Sequence, residues 1–265
     1  MQARTWIYTI GNTLALIAVL IVNYLAVKLP INGKTTGELS DLYPNLFVPA
    51  GFTFSIWGVI YFSLILWIFY QWWYSFKRRS TQLIGQKLIA AWFWLSSAFN
   101  IAWIFAWHYQ LPSLALLLML GILFSLIQIY RNLGVGVRST SHSERFFMHL
   151  PFSLYLGWIS VATIANSTAV LVHYNFTGWG LPEPFYASAM LIAAALLAYF
   201  FLNFNVDVFY SLVIIWAAFG VFYKHYFLLE QAYPIVYTTA AATMLFLLVK
   251  YLQLRNKCPK TRAYW

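Results

Sequence analysis

Residues 150–172 read LPFSLYLGWISVATIANSTAVLV, a run that contains no Asp, Glu, Lys or Arg. A helix needs about 20 such residues to cross the hydrocarbon core of a bilayer, which is about 30 Å thick. Comparable apolar runs recur along the whole chain, in which hydrophobic residues make up 62% and charged residues only 8%. Because a soluble domain carries about 25% charged residues, we predict an integral membrane protein embedded in a lipid bilayer.

Eight runs of this kind define the predicted spans. They cover residues 6–27, 50–76, 88–108, 111–130, 150–172, 185–205, 208–223 and 233–252. Their apolar residues are continuous and do not alternate with polar ones, which favours helices over a β-barrel and predicts an all-α polytopic membrane protein. The seventh run is the shortest, and Asn203, Asn205 and Asp207 lie just before it. The sixth and seventh runs are therefore predicted to form either a tight helical hairpin or one kinked element.

Lysine and arginine predict the orientation, because cytoplasmic loops carry an excess of these residues. If the amino terminus is cytoplasmic, the cytoplasmic segments contain all but three of the sixteen basic residues, and the opposite side has only Lys28, Lys34 and Lys224. This asymmetry predicts a protein of the cytoplasmic (plasma) membrane with both termini in the cytoplasm. The net charge of +10 is then an orientation signal. Its dispersal over several segments argues against nucleic-acid binding.

Aromatic and amide side chains share helical faces on three of the predicted spans. An asparagine amide left unpaired in hydrocarbon is costly, so Asn100 and Asn166 must face the interior of the bundle. The rings on the same faces then point inward as well. The three stripes are Phe54, Trp57 and Tyr61 on the second span, Asn100 and Trp103 on the third, and Trp158, Ala162 and Asn166 on the fifth.

Two interpretations fit these stripes. In the first, the asparagines form hydrogen bonds between packed helices, a common role that is worth about 0.6 kcal/mol each. In the second, the rings and amides line a flat cleft that is suited to a planar hydrophobic ligand. Composition by itself favours the packing interpretation.

The same residues resemble three motifs of the TspO/MBR family, the tryptophan-rich sensory proteins that include the mitochondrial translocator protein. Residues 49–61, PAGFTFSIWGVIY, resemble the family's proline-aromatic entry into its second helix. Residues 99–103, FNIAW, resemble the Asn-x-x-Trp of its third helix, and residues 156–166, LGWISVATIAN, resemble the Trp-to-Asn signature of its fifth. The order of the motifs and the helix numbers also agree.

The resemblance covers about residues 1–172 and predicts a division of the chain. The predicted units are a five-helix ligand-binding unit, 1–172, an additional three-helix membrane segment, 173–252, and a basic cytoplasmic tail, 253–265. The family usually has a second proline and a tryptophan where this chain has Ala50 and Phe52, and a proline where it has Leu154. These departures predict a divergent, extended member. Small residues in the last three spans predict close packing against the five-helix unit or a homodimer interface.

The resemblance also implies a ligand and a site. Family members bind porphyrins such as protoporphyrin IX and haem, and some bind cholesterol or benzodiazepine-type drugs, in a cavity that opens toward the first loop. Proposed roles are porphyrin transport, light-dependent porphyrin breakdown and stress signalling. The loop 32–48, with Tyr43 and Phe47, is implied as the lid, and long loops of this kind are often functional. Carried over by motif, the ligand-binding residues are Phe54, Trp57, Tyr61, Asn100, Trp103, Trp158, Ala162 and Asn166.

We therefore expect a protein that binds a planar hydrophobic ligand, such as a porphyrin or haem, for sensing or translocation, without a required cofactor. A small-molecule transporter or exchanger is the alternative. Proton coupling is disfavoured, because all six acidic residues lie in predicted loops or at span ends. The spans contain no clustered acid, base or metal set of the kind that catalysis needs, so no catalytic or metal-binding residue is predicted. A weak porphyrin-degrading activity, which needs only tryptophans near the pigment, stays open.

Overall fold

The computed structural model describes residues 2–29, 31–77, 86–230 and 233–257. Within these ranges, eight helices are long and apolar enough to cross a membrane, and no strand occurs among the described residues. The prediction of an all-α polytopic membrane protein is therefore confirmed. The basic residues Arg78, Arg79, Lys260 and Arg262, which contribute to the predicted orientation, lie outside the described residues, as does most of the predicted tail.

The eight helices agree with the predicted spans to within a few residues at most ends. One 3-10 turn, Gly51–Ser55, leads into the second span, and one π turn, Lys224–Leu228, extends the seventh. The fifth span is entered through a shorter helical turn and a π turn, so its apolar segment begins at His142. In chain order, the eight spans are Gln2–Lys28, Ile56–Lys77, Gln86–His108, Pro112–Leu133, Leu150–His173, Glu183–Asn205, Val208–Tyr223 and Pro234–Lys257.

The fifth span joins two groups of helices. The third span packs against the first and the fourth, and the fourth packs against the fifth. The sixth, seventh and eighth spans pack against one another, and the seventh packs along the fifth. The fifth span is correspondingly rich in buried side chains, including Phe152, Leu156 and Ile159, which are almost fully inaccessible. The last three spans are thus attached to the rest of the bundle mainly through this one helix.

The sixth and seventh spans form a tight hairpin, the first of the two predicted alternatives. The sixth span ends at Asn205, and Val206 adopts a left-handed conformation with φ of 52° that reverses the chain. The side chain of Asp207 then accepts a hydrogen bond from the backbone N–H of Tyr210 and caps the seventh span. We call the side of the bundle with this turn the hairpin side, and the opposite side, with the loop 32–48, the loop side. Which of them faces the cytoplasm stays a prediction.

The carboxylate of Asp207 connects three spans at the hairpin side. Its Oδ2 accepts hydrogen bonds from the hydroxyls of Tyr130 (2.9 Å) and Ser153 (2.7 Å), while its Oδ1 caps the seventh span. The side chain is buried, and burial raises the pKa of Asp207 above its usual value despite these donors. We call Asp207 and its three partners the Asp207 cluster. The bonds from Tyr130 and Ser153 hold the fourth and fifth spans to the start of the seventh, and the bond from Tyr210 caps the seventh span itself.

Candidate aromatic ligand cleft

An aromatic cleft lies on the loop side, between the second, third and fifth spans and beneath the loop 32–48. Its walls are formed by side chains that the helical stripes direct inward, and its roof is formed by loop residues such as Thr36, Tyr43 and Val48. The residues that the spans contribute include Phe54, Trp57, Trp103, Trp158, Ala162 and Asn166. The cleft therefore draws on all three stripes recognised in the sequence.

The rings of the cleft pack edge to face. The ring of Phe54 lies 5.8 Å from that of Trp158 at an interplanar angle of 85°, and Trp57 meets Trp158 at 6.3 Å and 82°. On the opposite wall, Trp103 and Trp107 stack with centroids 6.0 Å apart and planes only 16° from parallel. Such pairs are each worth about 0.5–1.5 kcal/mol beyond their buried area. The walls are therefore well ordered before any ligand is present.

The polar groups of the cleft differ in whether they have partners. The indole N–H of Trp103 donates to Asn166 Oδ1 at 3.1 Å, and Asn166 Nδ2 donates to the carbonyl of Ala162 at 2.9 Å. The N–H of Trp107 donates to the carbonyl of Thr36. In contrast, the N–H of Trp158 is buried and has no hydrogen-bond partner. Because an unpaired buried donor costs about 1–3 kcal/mol, a ligand that accepts a hydrogen bond from the N–H of Trp158 would gain free energy.

The structure brings six of the eight predicted ligand-binding residues to this cleft, and Tyr61 and Asn100 do not line it. Tyr61 stacks on Trp57 one turn deeper, with ring centroids 5.3 Å apart. Asn100 accepts a hydrogen bond from Asn23 and donates to the hydroxyl of Tyr155, so it ties the first, third and fifth spans together. Its surroundings match the packing interpretation. Ligand binding by any of the eight residues stays a prediction.

The predicted lid is folded onto the third span. Its short helix, Thr36–Asp41, begins with a capping box in which Thr35 and Glu38 exchange hydrogen bonds, and these bonds lower the pKa of Glu38. Asn32 donates to the carbonyl of His108, and Tyr43 and Phe47 are buried. The loop therefore has a defined structure over the mouth of the cleft.

With the lid in this position the cleft is closed. Its cavity volume is about 50 Å³, whereas ligand sites usually have about 300–1,000 Å³. The space admits one or two water molecules, each of which occupies about 30 Å³ in the liquid. A planar ligand can therefore enter only if the lid moves.

The sixth and seventh spans hold the segment that runs from the lid into the second span. Glu183 Oε1 accepts from the backbone N–H of Leu46 at 3.0 Å, and Lys224 Nζ donates to the carbonyl of Val48 at 3.0 Å. His225 Nε2 donates to the carbonyl of Leu46, which can only accept, at 2.8 Å. All three side chains bond to main-chain atoms of residues 46–48.

Two further bonds continue this contact toward the second span. The backbone N–H of Ala50 donates to the carbonyl of Gly220 at 3.1 Å, and the indole N–H of Trp216 donates to the carbonyl of Thr53 at 2.9 Å. Sequence analysis missed these residues, because they lie more than 130 positions from their partners. The only signal available was that Lys224 is one of three basic residues predicted on the loop side.

Fold and site together define a polytopic helical membrane protein with an enclosed aromatic cleft under a structured loop. The family model of TSPO-like proteins matches residues 7–252, nearly the whole chain. The protein therefore belongs to the TSPO-like family, and the resemblance seen in the sequence motifs is confirmed. The match includes the last three spans, which the motifs alone do not reach. No curated protein and no solved structure matches the chain.

Proposed function

We propose that this protein binds a planar apolar small molecule in the aromatic cleft, with a porphyrin-like tetrapyrrole as the best candidate, for sensing or translocation. The observation that carries the proposal is the indole N–H of Trp158. This residue is only 3% exposed and lines a cleft walled by aromatic rings, and its N–H is buried without a hydrogen-bond partner. A ligand that brings an acceptor to this N–H gains a hydrogen bond without displacing an existing partner of the N–H.

The other cleft residues fit the same chemistry. The rings of Trp57 and Trp103 belong to different spans and can contact a flat π-system, which favours offset or edge-to-face contacts with aromatic side chains. Asn166 holds Trp103 through its amide oxygen and so fixes the position of that ring. Ala162 has the smallest side chain among the predicted site residues and leaves room for close approach. Ring stacking, one free donor and a small residue together favour a planar ligand with few polar atoms.

A titration with protoporphyrin IX tests the proposal on the protein in detergent or nanodiscs, followed by porphyrin absorbance. Trp158→Phe keeps a ring and removes the N–H, so we expect saturable binding that is weakened about fivefold, the value of one hydrogen bond. Trp67→Phe is the matched control. Trp67 is also buried with an unpartnered N–H, but it packs between Phe93 and Phe152 and does not line the cleft.

The outcomes separate binding from packing. Saturable binding that is weakened by Trp158→Phe and unchanged by Trp67→Phe supports the cleft as the site. Non-saturable association, or equal affinity in the wild type and Trp158→Phe, would refute it and leave the packing interpretation. If the cleft is supported as the site, uptake of the porphyrin into proteoliposomes distinguishes translocation from sensing, because a sensor binds the ligand without moving it across the bilayer.

A further inference from the structure

A second and larger cavity lies on the loop side, between the fifth and sixth spans. Its volume is about 460 Å³, which falls within the range of about 300–1,000 Å³ that is usual for ligand sites. Leu171 and Val172 contribute from the end of the fifth span, Tyr186 and Met190 from the start of the sixth, and Phe47 from the lid. We call this cavity the vestibule.

The lining of the vestibule indicates what kind of molecule would bind there. Most of its surface comes from apolar side chains, and its polar groups include the carboxylate of Glu183 and the amides of Asn45 and Asn175. Among the described residues that line it, none is a lysine or an arginine. Glu183 is the charged side chain among these lining residues, and Lys224, whose charge interacts with that of Glu183, lies outside the lining. A negative charge in the wall disfavours an anionic ligand. The vestibule therefore suits an apolar molecule whose polar groups are neutral.

The segment 43–48 lies between the vestibule and the aromatic cleft, and the end of the fifth span also lines both cavities. Tyr43 and Val48 line the cleft, while Leu46 and Phe47 line the vestibule. Asn45 lines both cavities, and its Oδ1 accepts hydrogen bonds from the backbone N–H groups of Phe47 and Val48. The segment is therefore a compact turn that can move as a unit.

Side chains of the sixth and seventh spans hold this segment in place, and Tyr43 also packs against Trp107 of the cleft. Glu183, Lys224 and His225 bond to the main chain of Leu46 and Val48, as described above. Each such bond has a net value of about 0.5–1.5 kcal/mol, or about 1.5–3 kcal/mol where the side chain is charged, so displacement of the segment costs several kcal/mol and leaves the helix contacts of the bundle in place. The closed cleft and the open vestibule are thus two cavities on either side of one movable wall.

We propose that the vestibule is a second binding site, specific for a neutral apolar small molecule, and that the molecule enters the aromatic cleft from it by displacing the segment 43–48. The transfer step rests on the proposed function of the cleft, whereas the vestibule site stands on its own lining. The vestibule is the larger of the two cavities and can hold a ligand for which the cleft is too small in this conformation, so the ligand occupies the vestibule first. The sixth span forms one side of the site, and side chains of the sixth and seventh spans hold its movable wall.

The test uses protoporphyrin IX dimethyl ester, a neutral planar probe, with the full-length protein in nanodiscs. Met190→Trp fills the vestibule with a side chain that does not line the cleft. Leu196→Trp places the same indole on the sixth span at an exposed position and serves as the control. We measure the number of probe molecules bound per protein and the rates of binding and release at the cleft by stopped flow.

We expect two bound probes in the wild type and in Leu196→Trp, and one in Met190→Trp. A blocked route slows entry and exit alike. Met190→Trp should therefore slow the rates of binding and release at the cleft about tenfold, which corresponds to a barrier higher by about 1.4 kcal/mol. The affinity of the cleft should not change, because both rates fall by the same factor. A merely structural effect of the substitution would change that affinity.

The alternative outcomes separate this proposal from the proposed function. In one outcome the wild type binds a single probe. If Trp158→Phe lowers the affinity for this probe, and Met190→Trp changes neither the affinity nor the rates, the vestibule proposal is overturned and the cleft is retained. If the single bound probe is instead lost in Met190→Trp and bound normally by Trp158→Phe, the vestibule site is retained, and both the cleft site and the transfer step are overturned. Absence of saturable binding in all variants would overturn both.

The preference for neutral ligands has its own test. Glu183→Gln retains an oxygen acceptor for the N–H of Leu46 and removes the charge. The variant should bind protoporphyrin IX, with its two carboxylates, about threefold more tightly at the vestibule, the effect of one exposed charge interaction. This increase is taken relative to the affinity of the same variant for the dimethyl ester, so that any effect of the substitution on the hold of the segment cancels. An equal response of the two probes would overturn the selection by charge.

Discussion

The aromatic cleft and the Asp207 cluster lie toward opposite ends of the same fifth span, and they use polar groups in opposite ways. In the cluster, both oxygens of the Asp207 carboxylate accept hydrogen bonds, from Tyr130, Ser153 and the backbone of Tyr210. In the cleft, the N–H of Trp158 has no partner. The carboxylate of Asp207 is therefore paired within the protein, whereas the indole of Trp158 has a donor left over.

The difference indicates how to separate structural from ligand-binding polar groups in a membrane bundle. A buried polar group costs free energy when it is unpaired, so the presence of a fully paired group such as the Asp207 carboxylate is explained by helix packing. An unpaired donor is not sufficient evidence by itself, because Trp67 also has one and lies in a filled core. Trp158 combines the unpaired donor with an adjoining cavity, and that combination points to a ligand.

The largest expected effect comes from breaking the Asp207 cluster. Asp207→Ala leaves the hydroxyls of Tyr130 and Ser153 without their acceptor and removes the cap of the seventh span. The free energy of unfolding should fall by about 3 kcal/mol, measured by denaturant titration in mixed micelles. Asp207→Asn retains one acceptor oxygen and should cost less. If the cluster is purely structural, the folded fraction of either variant binds porphyrin with wild-type affinity, and a weakened affinity would contradict the comparison.

A second substitution tests the contact between the seventh span and the entry to the second. A Cβ on Gly220 would collide with the side chain of Thr53 and come within 2.9 Å of Pro49 Cβ. Gly220→Ala should therefore destabilise the protein by about 2 kcal/mol, measured by the same titration. Gly58→Ala is the control, since nothing lies within 4 Å of the added atom, and it should be neutral or slightly stabilising. Equal stability of the two variants would mean that this contact is not tight.

A third substitution fills the cleft and spares the cluster. Ala162→Leu adds three carbons to a cavity of about 50 Å³ and should weaken porphyrin binding about tenfold, because the added side chain occupies space that the ligand needs. The free energy of unfolding should change by less than about 1.5 kcal/mol. Ala193→Leu, at an exposed position on the sixth span, is the control. Wild-type affinity in Ala162→Leu would place the ligand elsewhere.

The smallest expected effect concerns the lid. Lys224→Met keeps an apolar side chain and loses the hydrogen bond to the carbonyl of Val48. The closed position of the segment 43–48 loses about 0.7 kcal/mol of stabilisation, so the rate of porphyrin binding should rise about threefold. Lys28→Met, at an exposed position on the loop side, controls for the loss of a positive charge. Slower binding in Lys224→Met would indicate that this lysine attracts the ligand and does not hold the lid.

The sequence predicted most of the fold and part of the candidate site. The stripes placed Trp158 and Asn166 on one inward face, and both line the cleft. The same reasoning grouped Asn100 with them, although its amide is fully used by Asn23 and Tyr155. Helical spacing identifies the face on which a residue lies, but a residue one turn away on that face can belong to a different set of neighbours.

The sequence by itself determined the eight spans, the inward faces and the family, because each rests on local properties of the chain. A continuous apolar run must satisfy its backbone within one helix, and that constraint needs no knowledge of the neighbours. Only the tertiary structure decided that the cleft is closed, that Trp158 keeps a free donor and that Glu183 and Lys224 hold the lid. These features depend on contacts between segments far apart in the chain, such as residues 46–48 and the seventh span, and no local pattern of residue types encodes which distant backbone atom a side chain will meet.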